Sequence, residues 1–155
     1  MGTRQAIPGL VFDNIGSFFA QRGILTAVAD YQLAPASTYP EPVEDIRDAV
    51  KFVLSSPAVD VAGHGADKTS VYLAGHSAGA AHASTFFLNE SILKGIDRKT
   101  FKGAILISGA YGNVPPPLSS YYGVDEDHTH KTPFGLLRGH PAEKVLCWCL
   151  FSFFN

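Results

Sequence analysis

Five consecutive residues, Gly75-His76-Ser77-Ala78-Gly79, set a serine between two glycines with one residue on each side of it. A free serine hydroxyl is a weak nucleophile. It attacks a carbonyl when a sharp turn lifts it clear of the backbone, a base takes its proton, and N–H groups receive the charge that develops on the carbonyl oxygen. The flanking residue types suit the turn. Gly75 and Gly79 let the segments before and after Ser77 approach closely, and Ala78, Ala80 and Ala81 keep the surroundings narrow. If a helix starts just after Ser77, its N-terminus favours negative charge there, and the Ala78 N–H becomes an oxyanion donor. The chemistry this pattern points to is nucleophilic attack by Ser77 on a carbonyl.

Such a turn needs a strand before it and a helix after it. Ser70–Ala74 (SVYLA) reads as a buried strand, and the alanine-rich stretch Gly79–Leu88 as a helix. Upstream, Leu10–Gln21 spaces apolar residues at 11, 12, 15, 18 and 19, a helical face, with Gly23 positioned as a left-handed helix terminator. Ile24–Ala29 (ILTAVA) is a continuous apolar run and predicts a strand buried on both faces. Val43, Ile46, Val50 and Val53 recur at helical spacing, with charged residues opposite and Pro57 closing the helix. A third strand, AILIS, ends the run Phe101–Ser108. Helices alternating with strands predict an α/β fold in one domain, with a parallel sheet core and helices on both faces.

Beyond Gly109 the pattern weakens. Val114–Leu118 (VPPPL) suits neither a helix nor a central strand. The stretch 112–143 reads as irregular and 144–155 as an atypical apolar tail, with Lys144–Phe154 a candidate strand. Cys147 and Cys149 read as buried apolar thiols rather than a redox or metal pair.

Composition narrows the partners. Of the 155 residues, 46% are hydrophobic and 17% charged, as in a globular domain rather than a disordered chain. The net charge of −2 comes with no basic stripe, which argues against nucleic acid. The first residues lack the apolar core of a signal peptide, and Ala6 stands where a myristoylation signal wants Ser or Thr. No apolar run reaches the length of a membrane span, so the expectation is a cytoplasmic protein. The apolar tail is a candidate surface for self-association.

Three stretches in order, DYQLAP at Asp30–Pro35, YPEPVEDIRDAVKFV at Tyr39–Val53 and GHSAGA at Gly75–Ala80, resemble the α/β-hydrolase superfamily. They are most similar to its hormone-sensitive-lipase-like esterases and to the kynurenine-formamidase-like and feruloyl-esterase-like relatives. The resemblance covers about Leu10 to Tyr111; Gln32 stands where that family carries arginine. It implies hydrolysis of a small-molecule ester or amide, without cofactor or metal, by a serine–acid–histidine triad, with Ser77 the nucleophile, Ala78 an oxyanion donor, and Asp30 and Tyr31 a structural turn.

The same resemblance implies an acid and a histidine on later strands, which by position fall beyond Asn155, and an oxyanion loop and its strand before Leu10. That strand would lie between ILTAVA and SVYLA, so these two either close up or the slot is filled, with the apolar tail one candidate. Locally, Asp125, Asp127, His128 and His130 in DEDHTH are the base and acid candidates, against a plain solvated loop. His76, His82 and His64 read as packing or exposed residues rather than bases. The rival to a weak or inactive ester hydrolase is a non-catalytic interaction fragment of the same fold.

Overall fold

The structure is a computed structural model that describes residues 13–112, 120–123 and 129–139. Helix α1 spans Asp13–Ala20, α2 Glu41–Ser55, strand β1 Val71–His76, α3 Ala78–Leu88, α4 Glu90–Leu93, strand β2 Phe101–Ile107 and α5 Pro133–Gly139. The strands β1 and β2 pair in parallel from Val71↔Phe101 to His76↔Ile107, with one irregularity after Val71. The chain crosses from one strand to the other through α3 and α4, a β-α-β unit, as the alternation in the sequence predicts.

Helix α3 is the centre of the packing. Every residue from Ala80 to Phe87 is buried, His82, Ser84 and Thr85 among them, so the helix is covered on all sides rather than along one stripe. It lies between the sheet and α2, whose Pro42, Val43, Ile46 and Val50 form the inward face. Phe86, Phe87 and Phe101 pack edge to face with ring centroids 4.9 to 5.7 Å apart. Ile92 and Leu93 of α4 complete this core, and the Asn89 side chain starts α4 by accepting the Ser91 and Ile92 N–H groups. At the head of α2 the Glu41 carboxylate accepts from Ser37 Oγ at 2.7 Å and the Thr38 N–H at 3.2 Å.

Three regions differ from the sequence reading. Residues 24–29 form neither helix nor strand, and Ile24 is 52% exposed. A strand needs a neighbour to take its N–H and C=O groups; the sheet of the described residues has only β1 and β2, and neither pairs with this segment. Helix α1 forms, and Gly23 ends it at φ 75°, but Ile15 and Phe18 of its apolar face stay about half exposed. The stretch expected to be irregular contains α5, begun by Pro133 and packed against α3.

Of the two helical layers expected, the described residues supply the one built from α2 and α3. On the opposite face of the sheet Tyr72, Ile105 and Ile107 are exposed. The tail with Cys147 and Cys149 lies outside the described residues. Among those described, no helix is long and apolar enough to cross a membrane.

Burial separates two phenylalanines sharply. Phe86 is 0% exposed and Phe52, on the outer face of α2, 55%. Phe86→Ala is expected to lose about 3–5 kcal/mol in denaturant unfolding, and Phe52→Ala within about 0.5 kcal/mol of the parent.

Candidate active site

Ser77 is the single residue between β1 and α3. Its backbone is left-handed, φ 53° and ψ −120°, a conformation an L side chain adopts only where the surroundings impose it. Its N–H extends the β ladder by donating to the Ile107 carbonyl at 2.9 Å, and its own carbonyl opens α3 by accepting the Ala80 and Ala81 N–H groups at 3.1 and 3.2 Å. The side chain makes no capping bond to the helix, and the residue is exposed.

Gly75 makes this turn sterically possible. A Cβ placed there would fall on the Gly79 carbonyl and lie 2.7 Å from the Ala80 nitrogen. The first turn of α3 thus sits directly on the backbone of β1. Gly79 is different: a Cβ there would meet only the Tyr31 hydroxyl, at 3.8 Å, an ordinary contact. The two glycines of the motif are therefore not equivalent. The N–H of Ala78, the first residue of α3, has no acceptor within the helix and stands beside the Ser77 turn.

Among the described residues no imidazole hydrogen-bonds to the Ser77 hydroxyl. His64, His76 and His130 are exposed. His130 sits on the short turn Thr129–Lys131, while Asp125, Asp127 and His128 lie outside the described residues. Among the described residues no group of three His, Cys, Asp or Glu could hold a metal ion.

His82 is buried in α3, five residues after Ser77. The Tyr31 ring meets it edge-on at 4.8 Å and Tyr121 lies at 5.3 Å. Its Nδ1 is 3.2 Å from the Tyr121 hydroxyl. Burial pushes its pKa down to about 4, because charging it here forfeits hydration. Burial also raises the Tyr121 phenol, and Tyr122 is pushed up to about 12.

Tyr39 joins the cluster. Its N–H donates to the Tyr121 carbonyl at 2.7 Å, and its hydroxyl accepts from Asn89 Nδ2 at 2.9 Å. Nearby, the Gln32 N–H reaches Asp45 of α2 at 2.8 Å. The cluster thus fastens the 31–39 turn and residues 121–122 to α3. The sequence alone does not connect Tyr31, Tyr39 or Tyr121 to His82. The pairing spans 39 residues from His82 to Tyr121, a separation at which local periodicity carries no signal.

A family model described as alpha/beta hydrolase fold matches residues 15–132. Two rice proteins (Oryza sativa subsp. japonica), both named probable isoprenylcysteine alpha-carbonyl methylesterases, are similar to this chain. One is 37% identical over 78 residues, half of this chain and 17% of that protein. The other is 29% identical over 119 residues, 76% of this chain and 27% of that protein. The matched stretches therefore cover less than a third of either relative.

Two outcomes follow from this geometry. Gly75→Ala is expected to cost about 1–3 kcal/mol by forcing β1 and α3 apart, read as a lowered Tm. His82 binds protons more weakly folded than unfolded, so stability rises with pH across the window from about 4 to its ordinary 6.5. Acidification through that window is expected to remove on the order of 3 kcal/mol that His82→Gln does not lose, measured as the difference between the two pH–stability curves.

Proposed function

The chain belongs to the α/β-hydrolase fold family, and on that premise we propose that it carries the nucleophile of a carboxylic-ester hydrolase, with Ser77 as the acylated residue. The observation that carries this reading is the backbone of Ser77, left-handed at φ 53° between a strand and a helix, with its hydroxyl outside the helix cap and exposed. In the proposed step Ser77 Oγ attacks the ester carbonyl and its proton passes to a base. The carbonyl oxygen takes the negative charge facing the Ala78 N–H, the alcohol leaves, and water later frees the acid. Both curated relatives are named as methylesterases, so the substrate class proposed is a small alkyl ester of a carboxylic acid.

Turnover is expected to be slow. In a well-studied protease, removal of the base alone costs on the order of 10⁶ in turnover, and no described imidazole bonds to Ser77. The same observation favours a second reading, a hydrolase-like module that binds without catalysis. A fluorophosphonate probe separates the two. Ester hydrolase character predicts one probe per chain, located on Ser77 by peptide mass and absent in Ser77→Ala. No adduct on the parent chain, or one that persists in Ser77→Ala, sinks the proposal; the first result would favour the binding module.

A further inference from the structure

We propose that Ser108 contacts the substrate in the same site, reading a hydrogen-bonding group on the acyl part of an ester held at Ser77; this rests on Ser77 being the acylated residue. Among the described residues, the non-glycine positions with positive φ are Ser77 at 53° and Ser108 at 52°. They follow directly on β1 and β2. Because His76 pairs with Ile107, they are the next two residues in register, one on each strand. Neighbouring strands lie about 4.8 Å apart, so one small molecule can span both hydroxyls. Both residues are exposed, at the carboxyl ends of parallel strands, where α/β sheets bind their ligands.

The backbone of Ser108 is held from both sides. Before it, the Ile107 carbonyl accepts the Ser77 N–H at 2.9 Å. After it, Gly109 is covered by the Tyr111 ring, and a Cβ on Gly109 would lie 2.5 Å from Tyr111 Cε1 and Cζ. Tyr111 is itself buried, and its carbonyl accepts the Phe134 N–H at 2.8 Å, which ties the turn to α5. A left-handed turn with no further task is served better by glycine. Here serine occupies the strained position, and among the described residues nothing hydrogen-bonds to its hydroxyl. A strained side chain kept in place by its surroundings points to a functional position, and a hydroxyl can donate to or accept from a ligand. The acyl group stays on Ser77 between the two half-reactions, so it is the part of the substrate that a neighbouring residue can read throughout.

The ligand class is therefore an ester with an amide or hydroxyl close to the scissile carbonyl, rather than a plain alkanoate. The test compares acylation of Ser77, followed by intact mass, with p-nitrophenyl N-acetylglycinate and p-nitrophenyl butyrate. The ratio of the two rates cancels differences in folded fraction. Loss of one neutral hydrogen bond is expected to lower that ratio about 3- to 10-fold in both Ser108→Ala and Ser108→Gly. Ser108→Gly should melt no lower than the parent, since glycine relieves the strain. A ratio that holds in either variant, while Ser77 is still acylated, overturns the assignment of Ser108 and leaves Ser77 as the nucleophile. If neither ester acylates Ser77 in the parent chain, the hydrolase proposal falls and this inference falls with it.

Discussion

The contact on which the site depends is backbone against backbone: the Cα of Gly75 lies where the first turn of α3 passes over β1. Any side chain at 75 would have to push the Gly79 carbonyl aside. Because it carries none, the helix can begin one residue after the strand ends, and the single residue left to make the corner is forced left-handed. That residue is Ser77. Its N–H goes to β2 and its carbonyl to α3, so both backbone groups are committed to the scaffold and the side chain is left over. The exposure of the hydroxyl is thus a consequence of how closely two elements pack.

What keeps α3 in that position is its burial on all sides. The three-phenylalanine cluster and α2 hold its C-terminal half. The tyrosine cluster around His82 holds the middle, with Tyr31 reaching both His82 and the neighbourhood of Gly79. His82 is worth most to this arrangement when neutral, since a charged imidazole in the same place would lack hydration. Ser77 therefore rests on a closely packed support whose most pH-sensitive member is the buried His82.

Much of this was legible in the sequence. The glycines, small residues and flanking patterns around Ser77 mark the strand–turn–helix, and β1, α2, α3 and β2 all follow from runs or helical spacings of apolar residues. These are local signals, and the elements they mark pack against one another, α2 onto the β-α-β unit of β1, α3 and β2. ILTAVA failed for the opposite reason. An apolar run says that a strand would be stable if paired, and pairing depends on a partner distant in sequence. The short helix α5 is hidden by its length, since seven residues fall just short of two turns. The difference between Gly75 and Gly79 is likewise three-dimensional, because only the folded backbone shows which Cα faces the close approach. Ser108 carried no sequence signal; its φ follows from the turn that Tyr111 closes.

Close packing of β1 on α3 sets Ser77 in a left-handed corner. A crystal structure of the chain tests this most directly through the refined backbone angles of that residue. The expected result is φ near 53° with the Ser77 N–H on the Ile107 carbonyl. A right-handed or extended Ser77, with its hydroxyl folded back to cap α3, would contradict it.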